Sequence, residues 1–120
     1  MKTLLIGLTF LVLISSCSKK DSELNKICFT RTMTDLKIEN NTNKTIYFTA
    51  FGQNILPLID WIPSCSNPGV AANSTVSKNL STITGYLKED KLIVYWWECT
   101  ANKAEAIHSV LLNKSQRDCQ

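Results

Sequence analysis

Apolar and polar residues alternate through residues 34–39, with Thr34, Leu36 and Ile38 in one phase and Asp35, Lys37 and Glu39 in the other. Successive side chains of a strand point to opposite faces, so this two-residue period predicts a strand with one wet face. Asn40-Asn41-Thr42-Asn43 follows. Such residues make turns because their side chains bond nearby backbone and Asn tolerates the left-handed region. Residues 44–51 (KTIYFTAF) then put Ile46, Phe48 and Ala50 on one face, with the β-branched and aromatic content of a strand. The two runs predict a β-hairpin. Residues 92–100 (LIVYWWECT) form the strongest strand by composition, and residues 74–80 and 81–87 predict two weaker, polar ones.

Residues 52–73 break the pattern. They hold all three prolines (Pro57, Pro63 and Pro68), two of the four glycines and the apolar cluster ILPLIDWI. Proline excludes a central strand, and a connection this long in a small domain is functional or specifically pinned. It is expected to cross from one sheet to another. The tail reads both ways: Ala104, Ile107, Val110 and Leu111 fit a helical face, whereas Ala106, His108, Val110 and Leu112 fit a strand. Local propensity favours helix, which a neighbouring sheet can override.

The start of the chain has a different character. Lys2 precedes an uncharged run at residues 4–14 (LLIGLTFLVLI), shorter than the roughly 20 apolar residues a spanning helix needs. Charge, short apolar run and small residues in that order predict an export signal. The run ends Ile14-Ser15-Ser16-Cys17, which resembles the lipobox of bacterial lipoproteins. The resemblance implies that residues 1–16 are a signal peptide and that Cys17 becomes an acylated N-terminus on a membrane. Ser18, rather than Asp, after the cysteine is similar to outer-membrane lipoproteins. Lys19-Lys20-Asp21-Ser22-Glu23 resembles the charged export tags of Bacteroidota surface lipoproteins. The expected organisation is a signal at 1–16, a lipidated tether at 17–27 and one domain at 28–120, located in the cell envelope on the outer membrane.

Cysteine usage agrees with export. Beyond Cys17 stand Cys28, Cys65, Cys99 and Cys119. Four cysteines in a small exported domain predict two disulfides with three connectivities. Zinc sites need close pairs such as C-x2-C, which this spacing lacks, so no metal is expected. The preferred pairing is Cys28–Cys119, tying the domain ends, with Cys65–Cys99 pinning the long loop. Short strands, turn signals and disulfides together predict a mainly β fold. The expected form is a small antiparallel sandwich or barrel with a C-terminal segment of either kind. The stretches around LKIENNTNKTIYF and LIVYWWEC are similar to small immunoglobulin-like lipoprotein domains.

Charge and chemistry exclude more than they assign. The formal charge of +3, or +2 once Lys2 leaves with the signal, is small and scattered, which argues against nucleic acid. His108 is the single histidine, no G-x-S-x-G elbow surrounds any serine, and no phosphate-cradling glycine loop exists. The chain is therefore read as non-enzymatic and free of cofactors. Its aromatic residues carry the binding expectation. Trp61 with Asp60 sits in the proline-rich loop, and Tyr95 and Trp96 lie in the last strong strand. If Cys99 faces the core, Ile93, Tyr95 and Trp97 share that face, and Trp96 stands outside with Glu98. Exposed indoles stack on sugars and anchor protein interfaces. A module that binds a glycan or protein is the first reading. An inhibitor or immunity lipoprotein that inserts the 52–73 loop into a hydrolase or toxin is the second.

Overall fold

The computed structural model describes residues 23–66 and 68–120; the signal, the lipobox and Cys17 lie outside them. Nine strands follow in the described residues: β1 (Ile27–Arg31), β2 (Asp35–Asn40), β3 (Tyr47–Gly52), β4 (Ser74–Asn79), β5 (Leu92–Trp97), β6 (Cys99–Thr100), β7 (Lys103–Ala104), β8 (His108–Leu112) and β9 (Arg117–Cys119). They build two antiparallel sheets, ordered β4-β2-β1-β9 and β3-β5-β8, and a small ribbon of β6 and β7.

The core lies between the two sheets. Ile27 and Phe29 of β1 and Leu36 and Ile38 of β2 meet Ala50, Leu92, Val94, Trp96, Val110 and Leu112 in one buried cluster. Each of the Val, Leu, Ile and Phe side chains among them contributes about 1.5–3 kcal/mol relative to an exposed one. The alternation is realised from Asp35 on: Leu36 and Ile38 are buried and Lys37 is exposed, whereas Thr34, read in the inward phase, precedes the strand and is exposed.

The predicted hairpin is different from the observed one. β2 pairs with β1 and β4, whereas β3 pairs with β5 in the other sheet. The hairpin is β1–β2, closed by a turn in which Thr32 Oγ1 accepts hydrogen bonds from the amides of Thr34 and Asp35. The asparagine-rich segment is a crossover between sheets. Asn40 continues the inward phase of Leu36 and Ile38 and is fully buried. Its amide donates to the carbonyls of Lys44 at 2.7 Å and Val70 at 3.0 Å, and its oxygen accepts from the Thr42 amide at 3.0 Å. One side chain thus satisfies backbone groups that the crossing chain would otherwise bury unpaired.

Two further segments resolve. Residues 81–87 are not a strand. Asn79 caps a short 3-10 turn at Leu80–Thr82 by accepting from the Ser81 amide, and the turn lets Leu80 and Ile83 plug one end of the sandwich. The tail is a strand: Val110 and Leu112 are buried while His108, Ser109 and Leu111 are exposed, a two-residue period imposed by pairing with β5.

Both preferred disulfides are present. Cys28 and Cys119 stand directly opposite each other on β1 and β9, with Cα atoms 4.0 Å apart. Next to them Ile27 and Gln120 exchange two main-chain hydrogen bonds of 2.9 and 2.8 Å. Cys65 and Cys99 join the long loop to β6.

Candidate functional site

Residues 53–66 leave β3 at one end of the second sheet and run back over its outer face. The departure needs glycine. A Cβ on Gly52 would fall 1.8 Å from the carbonyl oxygen of Gly85, and Gly85 itself holds φ at +75° against the Ile55 side chain. A 3-10 turn at Gln53–Leu58 containing Pro57 follows, and it buries none of its own residues completely.

Trp61 then anchors the segment. Its ring centroid lies 4.7 Å from Tyr95, 5.9 Å from Trp97 and 6.0 Å from Phe51. Aromatic pairs at these separations add about 0.5–1.5 kcal/mol beyond area burial. Three residues on, the Ser64 carbonyl accepts from Trp97 Nε1 at 3.2 Å, and Cys65 is bonded to Cys99. The far end of the loop is held by Val70, whose amide and carbonyl pair with Ile46 at 2.7 and 3.1 Å.

This arrangement inverts the expected faces of β5. Leu92, Val94 and Trp96 point into the sandwich, and Ile93, Tyr95 and Trp97 point outward beneath the loop. Both faces are covered, so the strand is rich in large residues throughout. Trp96 is therefore not an outer platform. It is 8% exposed, lies 6.4 Å from Phe29, stacks against the His108 ring with centroids 4.2 Å apart, and donates from Nε1 to Gln120 Oε1 at 2.9 Å. Trp61 and Tyr95 do come together, with Asp60 exposed beside them, and both rings are half-buried in mutual packing.

Among the residues the loop presents to solvent are two large aliphatic side chains. Leu58 and Ile62 are each 84% exposed, on either side of Asp60 and Trp61. The apolar cluster ILPLIDWI, in a segment whose prolines exclude a central strand, held the signal. No protein-family model matches the chain, and no curated protein or solved structure matches it either. The function must therefore be argued from this surface and its surroundings.

Two polar constellations near the first sheet have structural explanations. On the outer face of the first sheet Glu39 meets Arg117 at 3.0 Å and Lys37 at 3.3 Å, and Glu23 meets Arg117 at 3.0 Å. Burial acts to raise the Glu39 pKa, but bonds and charge from Arg117 and Lys37 outweigh it and hold the carboxyl below its ordinary range. The hydrogen bond that Arg117 donates to Glu39 in turn raises the Arg117 pKa. Glu23, Cys28 and Cys119 bring donor atoms within 4.8 Å of one another. Both sulfurs are consumed by the disulfide and Glu23 is ion-paired, so the trio does not fit a metal.

Proposed function

We propose that the chain is a bacterial cell-envelope lipoprotein, acylated at Cys17, whose β domain is a non-enzymatic module that binds a protein through residues 58–62. The observation that carries this reading is the exposure of Leu58 and Ile62 on a segment fixed by Trp61, Cys65 and Val70. An apolar side chain held in solvent gains free energy only when something covers it. A segment already held in one shape loses little conformational freedom on binding, so more of the contact energy appears as affinity.

A glycan partner is less well supported. Sugar stacking needs an open aromatic face, and Trp61 is committed to Tyr95, Trp97 and Phe51. Branched aliphatic residues around a carboxylate suit a protein pocket with an apolar floor and a basic rim. The second reading is the narrower form of the same surface, an inhibitor or immunity lipoprotein blocking a hydrolase or toxin. The pinning of the loop supports it, because an inserted segment must resist both collapse and cleavage.

The test is photocrosslinking in the source cells. A photoreactive amino acid at position 62 should give one discrete protein adduct that Leu58→Ser removes. The same probe at Lys37, on the outer face of the first sheet, should give none. Equal labelling from both positions, or no adduct from position 62, overturns the assignment.

A further inference from the structure

A second candidate site lies at one end of the sandwich, independent of the loop surface. Arg31 closes β1 at the end opposite Ile27, the end where the chain from Glu23 enters. Its side chain is 2% exposed, and among the described residues no carboxylate pairs with it. Main-chain oxygens surround it instead: Nη1 donates to Asp90 at 2.7 Å and Leu112 at 3.2 Å, and Nη2 donates to Lys88 at 3.4 Å. Tyr86 lies under the guanidinium, 5.7 Å from carbon to ring centroid. A guanidinium has five N–H donors in a planar fork. Nε and one hydrogen of Nη2 are left without a protein acceptor in these contacts.

Arg31 lines a cavity of about 250 Å³ together with Tyr86, Met33, Lys88 and Lys114, and two hydroxyl residues, Thr32 and Ser115, complete the rim. Glu89 ion-pairs with Lys114, so the net positive charge facing the cavity comes from Arg31 and Lys88. A buried cation without a counter-charge is unfavourable, and carbonyl dipoles offset only part of that. The walls are otherwise apolar: the Tyr86 ring, the Met33 thioether and the lysine stems.

We propose that this cavity binds a small carboxylate carrying a short apolar body. The unused Arg31 donors match a carboxylate's two oxygens, and Lys88 adds long-range attraction. The volume sits just below the usual range for ligand pockets, which selects a small acid over a bulky one. Inorganic phosphate is disfavoured because an apolar wall cannot replace its hydration. The acid is either a free organic acid or the terminal carboxylate of a peptide with an apolar last residue, and the two are separable by experiment.

The test is saturation-transfer NMR on the full chain in lipid nanodiscs, with empty nanodiscs as blank. The probes are hexanoate against hexanamide, and N-acetyl-Ala-Leu against its C-terminal amide. Each acid should bind saturably, and each amide at least about tenfold more weakly, the loss expected for one charge-assisted bond. Stronger binding of hexanoate identifies the free acid, and stronger binding of the peptide identifies the terminus. Because Arg31 also holds three carbonyls, Met33→Glu is the cleaner variant: its side chain is exposed, and a negative charge at the rim should abolish acid binding with the thermal midpoint unchanged. Amides that bind as well as acids, no saturable binding by about 10 mM, or wild-type binding by Met33→Glu would each overturn the proposal.

Discussion

The Trp61 indole lies 4.7 Å from the Tyr95 ring, on the side of β5 turned away from Val94 and the sandwich core. The contact makes Trp61 a fastening and leaves its neighbours in the loop to face solvent. The two roles separate by mutation. Trp61→Ala should lower unfolding free energy by about 2–3 kcal/mol, somewhat below the loss for a fully buried aromatic. Leu58→Ser and Ile62→Ser should stay within about 0.5 kcal/mol of wild type. Urea denaturation measures all three, and a large loss from Leu58→Ser would mean that the side chain is packed rather than presented.

Opening the Cys65–Cys99 bridge should act on the loop before the sandwich. The double variant Cys65→Ser, Cys99→Ser removes a closure spanning 34 residues and should lose about 2–4 kcal/mol. Limited proteolysis should then cut within residues 53–66 under conditions where the oxidised protein is intact. Equal resistance in both forms would show that Trp61 and Val70 hold the segment without the bridge.

Asn40→Asp tests the crossover between sheets. The change is nearly isosteric, but it exchanges the amide donor for a second acceptor facing the carbonyls of Lys44 and Val70. Stability should fall by about 3 kcal/mol or more at neutral pH, because a buried charge then meets unpaired acceptors. Thermal unfolding of the variant beside Asn40→Ala should rank the aspartate as the more damaging.

Acid should weaken the ion-pair cluster over the first sheet. The folded-state pKa of Glu39 is depressed below 4.5, so the cluster contributes fully above that value. Its contribution is lost as pH falls from there through the lower folded-state pKa, when the carboxyl takes up a proton. Urea titrations at neutral pH and near pH 3 should show that Glu39→Gln loses less stability on acidification than wild type. Identical acid sensitivity in the two proteins would contradict the assignment.

Much of the framework was legible from residue order. The phase of Leu36 and Ile38 and the strand at 92–97 follow from alternation and composition, and the count of four cysteines gives two disulfides; which of the three connectivities forms is settled only by the fold, and it is the preferred one. The failures share a physical cause, which is that local pattern does not report tertiary partners. Asn40 to Asn43 would serve a hairpin equally well; only the buried Asn40 amide, reaching Val70 thirty residues on, makes the segment a crossover. The two faces of β5 are indistinguishable by polarity because the loop hides one and the sandwich the other, so Trp96 and Trp97 exchanged their expected places. The tail that holds β8 carries helix-favouring Ala104, Glu105, Ala106, Leu111 and Leu112, yet residues 108–112 are a strand because they pair with β5. Arg31 stands between Thr30 and Thr32, where a cation reads as solvated, and its burial depends on carbonyls supplied by residues 88, 90 and 112.

If the proposed acylation at Cys17 fastens the N-terminal side to a bilayer, the bridge between Cys28 and Cys119 acquires a mechanical meaning. Tension arriving from that side meets β1 at Ile27 and reaches a covalent link at the very next residue. Peeling the strand away from β9 therefore stops after a single rung of the ladder. With such an anchor the load would pass into a closed loop of chain instead of unzipping the sheet.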